Sequence, residues 1–130
     1  MTVHDISIRS AQAHDLAVVQ RLLSTAHLPT DGLEEQFGEA YAIAECDGQA
    51  IGAEGIEIYG EAGLLRSAVV DEQWRGKGVG DALTQDRLRW ASERGLREVW
   101  LLTTTAADYF PRFGFERAAR ESAPTEMQRS

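Results

Sequence analysis

The chain has 130 residues, 43% hydrophobic and 26% charged, with a formal net charge of −8 at pH 7. That balance is an ordinary globular one, long enough for one core of strands and covering helices, and it excludes wholesale disorder. The acidic surface argues against nucleic acid, whose phosphates need basic partners, and is compatible with a cationic acceptor. No apolar run is long enough to span a bilayer, and the first residues carry neither a basic leader nor an apolar signal core. The single cysteine, Cys46, has no internal partner and sits in an apolar, strand-like run, so it reads as a small core residue in a reducing cytoplasm. One domain over residues 1–130 is expected.

Ile6 and Ile8 alternate with polar neighbours and predict a first strand. Leu16, Val19, Leu23 and Ala26 then fall on one helical stripe, with Asp15 in the first turn and an end before Leu28-Pro29. Residues 29–39 are acidic and weakly patterned, a short helix or loop. Tyr41 to Cys46 reads as a strand, Asp47-Gly48 as a hairpin turn and Ile51 to Tyr59 as the partner strand. After a turn over Gly60 to Gly63 comes a third strand of this meander, Leu64 to Val70. A helix is expected from about Gly78 to Arg94, its stripe formed by Val79, Leu83 and Trp90, with Gly95 as its C-terminal cap. Val99 to Leu102 predicts a strand, Ala106 to Arg112 a short helix, and Phe115 to Ala119 a last strand. The fold class is α+β, a sheet covered by helices.

The segment with chemical content is Arg75-Gly76-Lys77-Gly78-Val79-Gly80, between a strand and a helix. Glycine at alternate positions removes side chains from the backbone, and at a helix N-terminus the exposed N–H groups and the dipole suit a pyrophosphate. A P-loop would need Gly-Lys-Ser/Thr after a four-residue spacer, and none is present. A dinucleotide fingerprint starting from Gly76 or Gly78 would need glycine at Asp81 or Leu83, and also fails.

This segment resembles the acetyl-CoA signature of the GNAT superfamily, Arg/Gln-x-x-Gly-x-Gly/Ala. Tyr109-Phe110-Pro111-Arg112-Phe113-Gly114-Phe115 resembles that family's aromatic helix ending in Gly-Phe, and the element order matches along almost the whole chain. The resemblance implies a GNAT-like mixed, mostly antiparallel sheet with helices on both faces, and an N-acetyltransferase using acetyl-CoA as co-substrate. It implies that the fourth and fifth strands splay around the pantetheine, which pairs with backbone groups of Val69 and Val70. Arg75, Gly76, Lys77, Gly78, Val79 and Gly80 would hold the pyrophosphate. Thr105 and Phe110 would lie beside the cofactor, with helix capping as the alternative for the Thr103 to Thr105 run. An amine would attack the acetyl group directly, without an acyl-enzyme.

Such a reaction needs a base or relay water, an acid for the thiolate and donors for the oxyanion. Glu57, or else Glu54, is the candidate base; alternation groups Glu57 with Ile51 and Tyr59. Phe110 stands where a proton-donating tyrosine is common in the family, which leaves the acid unassigned and keeps a non-catalytic acyl-CoA-binding module as the alternative function. Arg66 and Ser67 are candidate substrate residues. Arg66 should share a face with Leu64, Ala68 and Val70 and needs a partner, either an acceptor carboxylate or an internal one such as Glu57. Leu64-Leu65-Arg66-Ser67 and Thr103-Thr104-Thr105-Ala106 resemble the branch associated with arsenic-resistance operons. No metal is expected. The C-terminal strand usual in the family is expected to be missing or truncated, since Pro124 and polar residues follow. The expected partners are a small-molecule amine, such as an amino-acid-like acceptor, and, through an open sheet edge, a second copy of the chain. Neither nucleic acid nor membrane is expected.

Overall fold

The computed structural model describes residues 5–101, 113–116, 118, 120–124 and 127. Five strands, β1 (Ile6–Ser10), β2 (Tyr41–Cys46), β3 (Gln49–Tyr59), β4 (Ala62–Val70) and β5 (Glu98–Trp100), form one sheet in that order. The first four are antiparallel neighbours and β5 runs parallel to β4. Helices α1 (Leu16–Thr25) and α3 (Val79–Glu93) cover the sheet, and α2 (Leu33–Gln36) is a single turn. The expected mixed, mostly antiparallel sheet with helices on both faces is therefore present.

Strand β2 shows why its sequence is apolar throughout. Tyr41 and Ile43 pack with Val19, Leu22 and Leu23 of α1, whereas Ala42, Ala44 and Cys46 pack with Val79 and Leu83 of α3. Successive side chains leave a strand on opposite faces, so a strand covered twice loses its polar alternation. Cys46 is a buried core residue, as expected. At the following turn Asp47 and Gly48 both have positive φ, 53° and 77°, the geometry of a type I′ hairpin. Only Gly60 and Glu61 are needed for the next turn, since Tyr59 already pairs with Ala62. Strand β4 thus starts two residues before the predicted Leu64.

Asp15 is not in the first turn of α1 but closes a 3-10 turn, Ala13–Asp15, before it. Its carboxylate accepts two bonds from Arg9, at 2.7 and 2.8 Å, and one from the Gln12 N–H at 2.8 Å. The Arg9 bonds hold its carboxyl down at about 2 despite burial. Helix α3 begins at Val79, with Gly78 as its N-cap. It ends in a pair of bonds, Leu96 N–H to the Ala91 carbonyl and Gly95 N–H to the Ser92 carbonyl, with Gly95 left-handed at φ 82°. This is the Schellman cap anticipated from Gly95. The buried side of α3 differs from the predicted stripe: Thr84 and Arg87 are inside with Val79, Leu83 and Ala91. Arg87 is accommodated because Asp86, the Glu39 carbonyl and the Ser10 hydroxyl take its donors.

Strand β5 is shorter than predicted, three residues beginning at Glu98; Leu102 and the helix expected over 106–112 lie outside the described residues. Positions 115, 116 and 118 are in no strand, so the last expected strand is not seen among the described residues. The C-terminal segment instead turns through a 3-10 element, Arg120–Ser122, and buries Ala123 and Met127 against Ala62 and Leu64. No helix among the described residues is long and apolar enough to cross a membrane.

Glu54 of β3 lies under α3, 3% exposed. One carboxyl oxygen accepts from the Thr84 hydroxyl at 2.9 Å, and the other has no partner among the described residues. Burial pushes its pKa up to about 7, opposed by the Thr84 bond and by Arg87, with Asp86 adding to the rise. A raised carboxyl favours the folded state while protonated, so its contribution is intact below the ordinary value near 4.5 and is lost as pH rises towards 7. Glu54→Gln should leave stability at pH 5 little changed and increase it at pH 8 by on the order of 2–3 kcal/mol. Denaturant unfolding of both proteins at the two pH values measures this, and an equal effect at both would show that the buried proton is absent.

Candidate functional site

Strand β4 carries two functional clusters, separated by a bulge. Gly55 pairs with Arg66 and Ala53 with Val69, so Ser67 and Ala68 stand opposite the single residue Glu54. Ser67 has φ 58°, a left-handed value unusual for any residue but glycine. The extra residue shifts side-chain alternation by one. Val69 consequently packs on the α1 face, and Val70 on the α3 face with Val79 and Leu83. Arg66 therefore does not share a face with Val70, as uninterrupted alternation predicted. A second irregularity, between β2 and β3 at Glu45, likewise puts Ile51 with Val79 and Leu83, away from Glu57 and Tyr59.

The first cluster follows β4. A 3-10 turn, Glu72–Trp74, is fixed by the Asp71 carboxylate accepting from the Gln73 N–H at 2.9 Å. The chain then passes through Gly76 and Gly78, both left-handed at φ 76° and 84°, into α3. A Cβ built on either glycine meets nothing within 4 Å, so both face open space. Here a cleft of about 350 Å³ is bounded by Val70, Trp74, Arg75, Gly76, Gly78, Val79, Gly80 and Asp81. The first helical bond runs from the Ala82 N–H to the Gly78 carbonyl. The N–H groups of Val79 and Gly80, ahead of it, have no acceptor within the helix. Arg75 is exposed and donates from Nε to the Val70 carbonyl at 3.3 Å. These groups suit a pyrophosphate, and the open side of the two glycines leaves room for one.

The cleft brings together six of the residues expected to hold the cofactor: Val70, Arg75, Gly76, Gly78, Val79 and Gly80. Lys77 is exposed beside it, while the Val69 side chain is buried on the α1 face. Among the described residues β5 pairs with β4 only as far as Leu64. Thr105 and Phe110 lie outside the described residues, as do Thr103, Thr104 and Tyr109. Trp74 and Asp81 were not anticipated as part of the cleft. The Asp81 carboxylate suits the helix dipole but opposes a bound anion, which leaves the backbone donors and the two cations to hold it.

The second cluster lies before the bulge. Glu57, 5% exposed, accepts at Oε1 from Arg66 at 3.1 Å and from the Tyr59 hydroxyl at 3.2 Å. Among the described residues the Arg66 guanidinium donates only to Glu57, and its side chain is 31% exposed. The internal partner considered for Arg66 is therefore present, and among the described residues four of its five guanidinium donors make no other bond. Ser67 is adjacent at the bulge. Glu54, the other candidate base, is on the opposite face beneath α3 and does not join this cluster.

Sequence reasoning missed Tyr41, a buried residue of β2 whose ring crosses β3 at Gly55, the residue paired with Arg66. Burial pushes this phenol above its usual range. A signal was available: Gly55 inside a strand marks a close approach, here by the Tyr41 ring. No group of three or more His, Cys, Asp or Glu side chains able to hold a metal occurs among the described residues.

A family model described as an acetyltransferase (GNAT) domain matches residues 37–117. An uncharacterised N-acetyltransferase of Chlorobaculum tepidum is 26% identical over 99% of this chain and 87% of its own length. The amino-acid acetyltransferase of Neisseria meningitidis serogroup A is 25% identical over 92% of this chain, which spans only 29% of that protein. Among solved structures, N-acetylglutamate synthase from Neisseria gonorrhoeae, complexed with coenzyme A and N-acetyl-glutamate, superposes with a TM-score of 0.84 at 21% identity. That match covers 98% of this chain and 32% of the synthase. A Mycobacterium tuberculosis protein in complex with CoA gives 0.78 at 24% identity, over 95% and 82% of the two chains. These superpositions show the fold, and the matched family model spans both clusters on β4. The chain therefore belongs to the GNAT family of acetyltransferases, acetyl-CoA-dependent N-acetyltransferases.

Proposed function

We propose that this chain transfers the acetyl group of acetyl-CoA to the amine of a small, amino-acid-like acceptor by direct attack. The observation that carries the acceptor class is the half-exposed Arg66 guanidinium, tied to Glu57 by one bond, four residues before the start of the α3 cleft. A planar cation with unused donors beside a carboxylate can orient both ends of an amino acid, its carboxylate on Arg66 and its ammonium towards Glu57. The amino-acid acetyltransferases and the glutamate-derived ligand of the gonococcal synthase support the same reading. The strings around Arg66 that resemble the arsenic-resistance-operon branch are compatible with an amino-acid-like toxin as acceptor.

When bound, acetyl-CoA supplies an activated acetyl thioester. The N-terminus of α3, with Gly76 and Gly78 left-handed, would hold the pyrophosphate on backbone donors, assisted by Arg75 and Lys77. Backbone groups of Val69 and Val70 would hold the pantetheine. Arg66 and Ser67 orient the acceptor. Glu57 accepts the ammonium proton, directly or through one water, so that the neutral amine can attack. Burial of Glu57 in turn keeps bulk water from competing for that proton.

Gly78→Glu should abolish acetyl-CoA binding, because it places a charged side chain in the anion cradle. Gly78→Asn, which tolerates the left-handed backbone better than most residues, should weaken binding by a smaller factor. Titration calorimetry on the two folded variants tests the cradle, and undiminished binding by Gly78→Glu would remove it from consideration.

Glu57→Gln should lower kcat by roughly 10²-fold or more, as loss of a general base does, and leave acetyl-CoA affinity unchanged. Its pH–rate profile should lose the limb that reports the base. An unaltered profile would make Glu57 a structural partner of Arg66 only.

Arg66→Ala should raise the KM of an amino-acid acceptor by roughly tenfold or more and leave that of acetyl-CoA in place. With the carboxylate of the acceptor amidated, wild type should already be poor and the substitution should add little. Equal losses on both acceptors would exclude carboxylate recognition by Arg66.

A further inference from the structure

We propose that Tyr59 is a positioning residue for acetyl transfer: together with Arg66 it fills Oε1 of Glu57 and so reserves Oε2 for the proton of the acceptor. The inference rests on Glu57 being the base, as proposed above.

Glu57 and Tyr59 are two residues apart on β3 and therefore leave the strand on one face. Their cross-strand partners are Leu64 and Ala62, at the closed end of the β3–β4 hairpin. The Tyr59 hydroxyl donates to Glu57 Oε1 at 3.2 Å, and Arg66 Nη1 donates to the same oxygen at 3.1 Å. A carboxylate offers about four lone-pair sites, shared equally between its oxygens. The two donors thus fill Oε1, whereas Oε2 accepts no hydrogen bond among the described residues. The Tyr59 ring is half-buried and packs on a cluster of Ala62, Leu64, Ala123 and Met127, with Trp100 on the same cluster. Its own hairpin and the C-terminal segment therefore both hold the phenol in place.

Such an arrangement suits a group that gains and loses a proton in each turnover. As an anion, Glu57 has charge-assisted bonds at Oε1 from the cation and the phenol. The ammonium of the acceptor then meets Oε2: an N–H bond breaks, an O–H bond forms at Oε2, and the pair left on nitrogen attacks the thioester carbon. In the resulting neutral acid Oε1 is the carbonyl oxygen, which still accepts both bonds. Neither donor has to move between the two states. Without the Tyr59 hydroxyl, one bond ties the carboxylate to Arg66, and its terminal torsion is broad enough to present either oxygen.

Tyr59→Phe, alone and combined with Glu57→Gln, tests this, with thiol release from acetyl-CoA followed on a panel of L-amino acids. Tyr59→Phe should lower kcat about tenfold and leave both KM values in place, as expected where alignment is lost and binding is not. The acidic limb of its pH–rate profile should move up by about one pH unit, because a bond to the charged form is gone. Added to Glu57→Gln, the substitution should cost less than about twofold. An equal loss in both backgrounds would overturn the proposal, since the phenol would then act on the reactants and not through Glu57. An unchanged kcat in Tyr59→Phe, with Glu57→Gln impaired, would overturn it and leave Glu57 as the base; full activity of Glu57→Gln would instead remove the base reading itself. Carbon-13 NMR titration of the Glu57 carboxyl requires no acceptor and should show the same upward move in Tyr59→Phe. If no amino acid is acetylated, the acceptor reading falls, and an unmoved midpoint in this titration would overturn the role of Tyr59 separately. Should Tyr59→Phe fail to fold, Tyr59→Met occupies the same space without a hydroxyl and is expected to give the same losses.

Discussion

Strand β4 does not keep its alternation beyond Arg66, because two of its residues, Ser67 and Ala68, face one residue of β3. Much of the site's arrangement follows from that extra residue. Before it, Leu64 and Arg66 share a face with Glu57 and Tyr59; after it, Val70 has moved to the α3 face, where it joins Val79 and borders the cleft. One strand therefore carries the Arg66–Glu57 pair on one face and a wall of the α3 cleft on the other, within a few residues. A regular strand would have put Arg66 and Val70 on the same side. The left-handed backbone at Ser67 costs about 1–2 kcal/mol.

The parts of the fold legible in the sequence are those set by local rules. Asp47-Gly48 fixes a hairpin because both residues must take positive φ, and Gly95 closes α3 because its cap needs the same. The Gly76-Lys77-Gly78 run opens a helix whose first turn bounds a cleft, as its spacing and flanking strand implied. What could not be read was set by contacts distant along the chain. Asp15 looked like a helix-dipole residue until Arg9 was found against it. Arg87 broke an apolar stripe because its partners, the Glu39 carbonyl and Ser10, belong to segments far upstream. The bulge carries no glycine or proline to announce it; the informative glycine is Gly55, on the neighbouring strand, where its meaning depends on Tyr41.

Electrostatics at the cofactor end run against the chain's overall balance. The molecule carries a net charge of −8, yet its single lysine and Arg75 flank the first turn of α3. Both cations are exposed, where water screens a charge pair to about 1 kcal/mol at 4 Å. Asp81 in the same turn partly offsets them. A pyrophosphate bound as proposed would depend chiefly on backbone donors, whose direction is fixed by the helix and whose exposure is fixed by Gly76 and Gly78. In this arrangement the cations favour encounter and the backbone supplies the geometry.

Glu54 and Glu57 lie three residues apart on β3 and are almost equally buried, yet the sheet separates their chemistry. Glu57 faces Arg66 and Tyr59, and the cation beside it offsets the cost of desolvating a carboxylate. Glu54 faces α3 and has the Thr84 hydroxyl as its hydrogen-bond partner, with Arg87 already engaged by Asp86. With so little compensation, burial favours the neutral acid. A carboxylate that must take up a proton in each catalytic cycle has to reach the acceptor as an anion. Only the face bearing Arg66 offers such a carboxylate, which is why the base is proposed at Glu57 and not at the more strongly perturbed Glu54.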